Sequence, residues 1–380
     1  MTPAKFSIAM NGSMLDDHPT GVGVYSINVI NHLSSIYQER HQKKIVVFTP
    51  TSDVLQNHVE IIRIPGVVKS SKYGKLAALS RFIWNTFFYP IRVRKFDLLI
   101  SPTTHGSFAA SNQVITIHDL ISLRYNNISF HQRLYFKYLL PFLVSKAKLV
   151  VTVSETTKKD IVELLRCPAE KVKVIYNGYD HTTYFPAERN QYNIERVYGL
   201  KQYFLAIGPT YAHKNFELLL EAYKSLEAVT RMKYPLLIAG GKQPYLDKLK
   251  TAVKDLNLER QVHFIGYVPV DLMPSLYREA HALIFPSLYE GFGIPLLEAM
   301  ACGCPVATSN TSSMPEVCGN ASLYFNPDDK EDIAGAMLSV ADNKVLRQQM
   351  IERGLAQVKK FSWKKTAEQL NNLIEKIETN

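Results

Sequence analysis

Short apolar runs rich in β-branched residues recur along this chain with helical stretches between them, and the recurrence happens twice. The first series is Phe6 to Met10, Ile45 to Phe48, Ile61 to Ile64, Leu98 to Ile100, Val114 to His118, Leu149 to Val153 and Val172 to Tyr176. Runs that are nearly all apolar read as buried parallel strands, because the crossover helices of a parallel sheet cover both of its faces. The second series is Phe204 to Ile207, Leu236 to Ala239, Val262 to Ile265, Ala282 to Phe285 and Val306 to Thr308. Helical segments such as Asn215 to Leu226 and Pro244 to Asp255 lie between its members. A chain of 380 residues, 46% hydrophobic and 21% charged, exceeds the length at which single cores stop growing. Two doubly wound α/β domains are therefore expected, each with its own sheet.

Asn177 to Asn193 follows neither period and reads as a linker, with the hinge near Pro186. The expected domains are residues 1–186 and 187–362. Phe361 to Ile377 has an amphipathic helical pattern led by Ser362 as N-cap, and the segment 363–380 is expected to pack back on the first domain. Open parallel sheets bind ligands beyond the carboxyl ends of their strands, which directs attention to those loops and to a cleft between the domains.

The opening MTPAKFSIAMNGSMLDD lacks a basic region followed by a long apolar stretch, and no apolar run reaches the roughly 18 residues of a membrane span. A cytoplasmic protein is expected. The four cysteines, Cys167, Cys302, Cys304 and Cys318, form no Cys-x-x-Cys pair and are expected as reduced thiols, with no metal site. The net charge of +10 calls for an anionic partner. No nucleic-acid recognition motif accompanies it, whereas anionic lipid or a diphosphate-bearing acceptor suits a basic surface.

The densest chemical signal runs from Ser287 to Gly303. The strand Ala282 to Phe285 enters a loop with two glycines, Pro295 stands where the first turn of a helix tolerates a missing N–H, and Gly303 closes the helix. Free N–H groups and the dipole at such a helix start suit a diphosphate and the charge that grows as it leaves. Glu290 precedes the helix and Glu298 lies about a turn inside it, so the two carboxylates can grip groups on either side of the phosphates. The spacing alone is unspecific, since Glu155 and Glu163 repeat it on an ordinary helix. The weight rests on the Gly-Phe-Gly-Ile-Pro insert and the strand, loop, helix order.

From Glu290 through Val306 the chain resembles the signature of the retaining glycosyltransferases of family 4: a Glu, Gly-Phe-Gly, Pro, a second Glu, Ala and Gly-x-Pro-Val. Further stretches resemble family features in the right order. His18 to Tyr25 is similar to the glycine loop after the first strand, with Gly21 and Gly23 as donor-site candidates. Ile117-His118-Asp119 resembles the histidine strand, Val151 to Glu155 a Val-x-Val-Ser-Glu stretch, and Val174 to Asp180 a Val-Ile-x-Asn-Gly-x-Asp stretch. Gly208 to Asn215 resembles the loop ending in Lys-Asn, and Pro315-Glu316-Val317 a downstream Pro-Glu-Val element.

The resemblance implies the GT-B fold, two Rossmann-like domains facing across a cleft. It assigns Glu298 to the ribose, Glu290 to the donor sugar, and the backbone around Phe292, Gly293 and Ile294 to sugar and phosphate. Lys214 would meet the diphosphate and the nucleobase would lie near Gly266, Tyr267 and Val268. His118 would hold a hydroxyl of the donor sugar, with Asp119 orienting it or approaching the acceptor. Domain closure on donor binding is expected. Retention implies front-face attack, in which the leaving phosphate takes the acceptor proton. Neither a cofactor nor a metal is expected, because Lys214 and the helix start carry the neutralising charge and no Asp-x-Asp motif occurs. One departure stands out. Pro209 occupies a place where many members carry Arg, leaving Lys214 alone or assisted by His213 or another basic residue.

From Lys69 to Lys95 there are seven Lys or Arg and no acid, interleaved with Leu76, Leu79, Phe82, Ile83, Trp84, Phe87, Phe88 and Tyr89. His131 to Lys148 repeats the pattern with Arg133, Lys137, Lys146 and Lys148. Such segments suit an anionic membrane surface, against the alternative of core helices with solvated faces. The resemblance implies a first domain that binds acceptor, peripheral association with the inner face of the cell membrane, and a polyprenol-diphosphate-linked saccharide acceptor in surface-polysaccharide synthesis. It is nearest to bacterial mannosyl and rhamnosyl transferases, which ranks GDP-mannose first as donor, ahead of dTDP-rhamnose and UDP-hexoses. The alternatives are a non-catalytic nucleotide-binding protein of this fold, and a transferase with a soluble acceptor.

Overall fold

The computed structural model describes residues 6–17, 21–125, 130–187 and 191–379. His18, Pro19 and Thr20 of the amino-terminal glycine stretch lie outside the described residues, as do Glu188, Arg189 and Asn190 of the expected linker. The chain divides into two compact units. Unit 1 is Met1–Gly178 with Trp363–Asn380, and unit 2 is Tyr179–Ser362. The division falls at Gly178 rather than near Pro186, because Tyr179 to Phe185 packs into unit 2: Tyr184 stands edge-on to Tyr277 at 6.0 Å, and Arg278 Nε donates to the Phe185 carbonyl at 2.9 Å.

Unit 1 contains β1 (Ile8–Asn11), β2 (Ile45–Thr49), β3 (Val59–Arg63), β4 (Leu98–Ser101), β5 (Gln113–Ile117), β6 (Leu149–Thr152) and β7 (Val172–Val174). They form one seven-stranded sheet in the order β3-β2-β1-β4-β5-β6-β7, with parallel pairing throughout. The order reverses between β1 and β4, and the loops at the carboxyl ends of these strands open the crevice in which doubly wound sheets take ligands.

Register shows which helices share a face. Ala9 lies beside Leu99 and Leu99 beside Gln113, so strand alternation puts Ile115 and Ile117 on that same face. Ala9 and Leu99 pack with Trp84 and Tyr89, and Ile115 and Ile117 with Leu140, Leu143 and Val144. The helical segments over 70–92 and 130–146 therefore cover one face of the sheet. Each contains a π-helical turn, Trp84–Phe88 and Tyr135–Leu139. Each also turns apolar side chains outward: Leu76 is 64% exposed, Phe87 60% and Ile91 61%, with Tyr138 and Phe142 exposed on the second segment. The outward sides of these helices thus match neither a closed core nor a purely polar face. No helix among the described residues is long and apolar enough to cross a membrane.

The helix Trp363–Thr379 belongs to unit 1, where it lies along the helix Gly21–His41. Its buried residues Trp363, Thr366, Ala367, Leu370, Asn371 and Ile374 recur with helical spacing on one side. Trp363 stands edge-on to Tyr25 at 6.0 Å, and Arg40 pairs with Glu375 at 3.0 Å.

Unit 2 contains β8 (Phe204–Ile207), β9 (Leu236–Ala239), β10 (Val262–Gly266), β11 (Ala282–Phe285), β12 (Val306–Ser309) and β13 (Leu323–Phe325). The six strands are parallel in the order β10-β9-β8-β11-β12-β13, reversing between β8 and β11. The strand β13 adds to the expected series, joining the sheet by pairing with β12. Leu219, Leu220 and Tyr223 of the helix Phe216–Ser225 pack with Ile333 and Met337 of the helix Lys330–Asp342 in the core over this sheet. Each leucine buried there contributes about 2 kcal/mol. All four cysteines are buried free thiols.

Candidate functional site

At the reversal point of the unit 2 sheet, β11 ends at Phe285 and the chain turns through Glu290 to Gly293 before the helix Ile294–Ala301. Gly293 has φ 101°, a conformation costly for any side chain, and a Cβ there would meet Leu296 Cδ1 at 2.9 Å. Two serines brace the loop. Ser312 Oγ accepts the Glu290 N–H at 3.1 Å and lies 2.9 Å from the Glu290 carbonyl, while Ser313 Oγ reaches the carbonyls of Glu290 and Phe292 at 3.0 and 2.9 Å. Phe292 is buried edge-on to Phe361 at 5.9 Å. The loop is thus braced by side chains from the segment that follows β12.

Lys214 reaches this loop from the neighbouring strand, β8. The turn Ala212–Lys214 ends at Asn215, whose φ of 60° swings the chain into the helix Phe216–Ser225, and Asn215 Nδ2 anchors to the Pro327 carbonyl at 2.6 Å. Lys214 Nζ lies 2.6 Å from Glu290 Oε1, with only 18% and 11% of the two side chains exposed, and 5.8 Å from the centre of the Phe285 ring. Two charges so far out of water are held only because each neutralises the other. His213 precedes it, and its carbonyl accepts the Leu288 N–H at 2.8 Å. Burial, then the neighbouring Lys214 charge, pushes the His213 imidazole down to about 4, against the pull of Glu290. His213 is neutral at pH 7, so the cation of this turn is Lys214.

Glu298 occupies the second turn of the helix. Tyr277 Oη donates to Glu298 Oε2 at 2.9 Å, and Tyr184 makes a second side-chain hydrogen bond with this carboxyl. Burial pushes Glu298 up to about 7, opposed by the hydrogen bonds from Tyr277 and Tyr184 and assisted by the Asp180 charge. Neither tyrosine carries a motif, so pattern alone does not single them out.

Glycines with positive φ end three adjacent strands of this sheet: Gly208 after β8, Gly240 after β9 and Gly266 at the close of β10, with φ of 81°, 79° and 66°. Pro209 follows Gly208, and its carbonyl accepts the Lys242 N–H at 3.3 Å. Tyr267 is 81% exposed beyond the edge strand β10, whereas Val268 is buried. At Tyr267 the backbone and an open ring face are what a planar base could meet.

In unit 1, His118 follows β5. Its Nε2 lies 2.9 Å from the Pro102 carbonyl, which can only accept, so Nε2 carries the proton and Nδ1 the lone pair. Tyr25 stands edge-on to the ring at 4.5 Å. Burial pushes His118 down to about 4, against the Pro102 bond, and it is neutral at pH 7. Asp119 Oδ1 accepts the Ile121 N–H at 3.1 Å, a cap on the short helix Ile121–Arg124. Gly21 and Gly23 lie in the first turn of the helix Gly21–His41, where Gly21 faces open space and Gly23 is buried. Sequence reasoning brought none of the polar groups beside β1 and β4 to notice. Asn11 Nδ2 donates to Asn85 Oδ1 and to the His105 carbonyl at 2.7 and 2.6 Å, and Arg81 Nη1 donates to the Val68 carbonyl at 2.6 Å. Arg81 belongs to the basic, aromatic stretch, yet it is buried, as is Asn85.

Of the expected site residues, Lys214, Glu290, Phe292, Gly293, Ile294 and Glu298 gather at the reversal point of unit 2, with Tyr267 and Val268 beyond its edge strand. Gly21, Gly23, His118 and Asp119 belong to unit 1. Among the described residues no group of three or more His, Cys, Asp or Glu side chains is placed to hold a metal ion. A braced helix start with a lysine beside it can receive an anionic group, and two nearby carboxyls can accept hydrogen bonds from hydroxyls.

Comparison with known proteins bears on the family and the fold. Residues 19–183 match the model of "Glycosyltransferase Family 4", and residues 188–357 that of "Glycosyl transferases group 1". The chain is 31% identical to O-antigen chain mannosyltransferase B of Escherichia coli over 93% of its length and 95% of that protein. It is 32% identical to O-antigen chain mannosyltransferase RfbU of Salmonella typhimurium over 87% of its length and 90% of that protein. In fold it is similar to Anabaena HepE in complex with UDP and glucose, with a TM-score of 0.74, 18% identity, and coverage of 98% of this chain and 100% of that one. Two Rossmann-like parallel sheets and identity at this level over nearly the whole chain lead to one conclusion: the chain belongs to the glycosyltransferases of family 4 and group 1, and has their GT-B fold.

Proposed function

We propose that this glycosyltransferase moves mannose from GDP-mannose to a saccharide carried on a polyprenol diphosphate, with retention at the anomeric carbon, as a step in surface-polysaccharide synthesis. The observation that carries the reading is the Lys214–Glu290 pair at 2.6 Å beside the helix start that Gly293 opens. The mannosyltransferase names of the two bacterial relatives support the choice of sugar and pathway.

In this reading Glu298 accepts hydrogen bonds from the ribose diol, and Glu290 aligns a hydroxyl of the donor sugar while holding Lys214 in place. Lys214 and the N–H groups at Gly293 and Ile294 neutralise the diphosphate as it departs. The bond from the anomeric carbon to the phosphate oxygen breaks on the face where the acceptor oxygen bonds to that carbon. The acceptor proton passes to the leaving phosphate, so no protein nucleophile is needed. The Nδ1 lone pair of His118 suits a sugar hydroxyl, while Asp119 fixes the backbone that follows it. The reading includes no divalent metal, since Lys214 and the helix start carry the neutralising charge.

The helices over 70–92 and 130–146 support association with an anionic membrane at the inner face of the cell membrane. They cover one face of the unit 1 sheet and expose Leu76, Leu79, Phe87, Phe88, Tyr138 and Phe142. Arg92 lies over Trp84 and Lys146 over Phe142, 5.5 and 5.7 Å from the ring centres.

A thermal-shift panel of GDP, UDP, dTDP and ADP, with and without their sugars, tests the donor. A ligand at a hundred times its dissociation constant stabilises by about 2.7 kcal/mol. A shift with GDP and GDP-mannose that Glu298→Ala removes is expected, and no shift with any nucleotide sinks the donor site. Proton NMR of the product made in EDTA tests configuration and metal together. Flotation with phosphatidylglycerol against phosphatidylcholine vesicles tests the membrane surface.

A further inference from the structure

The segment Tyr179 to Phe185, with which unit 2 begins, contacts Glu298 as well as serving as a connection. Tyr184 is buried, its ring edge-on to Tyr277 at 6.0 Å, and both hydroxyls bond the Glu298 carboxyl, that of Tyr277 at 2.9 Å. The segment is fastened on both sides of this contact. Tyr184 N–H donates to the Asp180 carbonyl at 2.8 Å, Arg278 Nε donates to the Phe185 carbonyl at 2.9 Å, and the Arg278 guanidinium lies 5.0 Å from the centre of the Phe185 ring. Tyr277 and Arg278 come from the helix Met273–Glu279, and Glu298 from the helix Ile294–Ala301. Three elements far apart in sequence therefore meet at one carboxyl.

We propose that Tyr184 and Tyr277 are positioning residues for nucleotide binding: their hydroxyls aim the Glu298 carboxyl and favour its ionised form, the form that accepts both hydrogens of a vicinal diol. This rests on the assignment of Glu298 to the ribose. A neutral carboxyl has one oxygen committed to its own proton and accepts a diol poorly, whereas a carboxylate held by two hydroxyl donors retains lone pairs for two more.

The groups facing Glu298 can be named element by element. Tyr277 comes from the helix Met273–Glu279, and Tyr184 and Asp180 from the segment that begins unit 2. Cys302 closes Glu298's own helix, and Arg278 acts on Cys302. Burial raises Asp180, but hydrogen bonds from Thr182 and Thr183 outweigh it and leave the carboxyl below its ordinary value, so it is negative at pH 7. Burial pushes the Cys302 thiol up to about 12, so it is neutral. The two hydroxyls are the groups whose hydrogen bonds favour its ionisation.

The test measures dissociation constants of GDP and UDP by calorimetry from pH 5.5 to 9 for the full-length wild type, Tyr184→Phe, Tyr277→Phe and Glu298→Ala. Wild-type affinity is expected to rise with pH and level off as Glu298 ionises. Each Phe variant, with the ring kept and the hydroxyl removed, is expected to weaken binding about tenfold at pH 7, move the midpoint upward, and approach wild type at pH 9. A loss equal at every pH, or no loss, overturns the positioning role while Glu298→Ala still abolishes binding. Wild-type protein that binds no nucleotide, or Glu298→Ala that binds normally, overturns the ribose assignment instead. If Tyr184→Phe fails to fold, the midpoint of Tyr277→Phe decides alone, because both hydroxyls act on the same carboxyl.

Discussion

Replacing Glu298 with Gln is expected to stabilise the ligand-free protein at pH 8 while removing its response to nucleotide. In the fold this carboxyl stands at about 7 against an ordinary 4.5, chiefly because burial disfavours the charge. A raised carboxyl contributes stability that is full below pH 4.5 and is lost as pH rises through about 7, since the native state holds a proton that the unfolded state releases. The two values differ by about 3 kcal/mol of preference for the neutral form. The residue is not wholly sealed from solvent, which lowers the effective cost to about 2 kcal/mol. Gln keeps the shape and an acceptor for Tyr277 but never carries the charge. Calorimetric melts of both proteins at pH 5 and pH 8 give the comparison. For a unit of this size, about 2 kcal/mol moves the midpoint by roughly 4–8 °C in favour of the variant at pH 8, with a small difference at pH 5. The tryptophans, Trp84 and Trp363, both lie in unit 1, so calorimetry rather than fluorescence reports the unit 2 transition. A variant no more stable at pH 8 than at pH 5, relative to wild type, refutes the reasoning.

Other substitutions address the rest of the machinery. Lys214→Ala leaves Glu290 as a buried, unpaired charge, and is expected to lower the melting point of unit 2 and to remove the preference for GDP over guanosine in a binding titration. His118→Ala is expected to lower kcat about a hundredfold with the nucleotide dissociation constant unchanged. Because burial holds His118 near 4, the wild-type kcat at saturating donor should show no titration of this residue between pH 5.5 and 8; the neutral form is lost only as pH falls through about 4. A midpoint near 6.5 that His118→Ala removes would contradict this. Gly293→Ala forces a side chain into φ 101° against Leu296, and is expected to cost about 1–3 kcal/mol in thermal melts and to weaken nucleotide binding through the displaced helix start.

The strands were legible wherever a run of apolar residues was long enough to show its period, as in Ile45–Thr49 or Ala282–Phe285. The short β13 was not, because pairing with β12 rather than local preference makes it a strand. The division between the compact units falls at Gly178 for a similar reason. Tyr179 to Phe185 has the composition of a linker, yet burial of Tyr184 and the Arg278 bond to the Phe185 carbonyl bind it to unit 2.

At the site, the residue types at 290–303 and 214 could be read in order along the chain, because the positive φ of Gly293 and the proline in the first helical turn are demanded by local backbone geometry. That reading identified the family, and the recurring apolar runs gave the two sheets. Local pattern cannot tell that Glu290 neutralises Lys214, that Tyr184 and Tyr277 converge on Glu298, or that Arg81 and Asn85 turn inward from a stretch otherwise rich in exposed apolar groups. Those facts belong to tertiary structure alone: side chains far apart in the sequence meet only when the sheet order and the helix crossings bring them within a hydrogen bond, and the ionisation of a carboxyl depends on what surrounds it rather than on what precedes it in the chain.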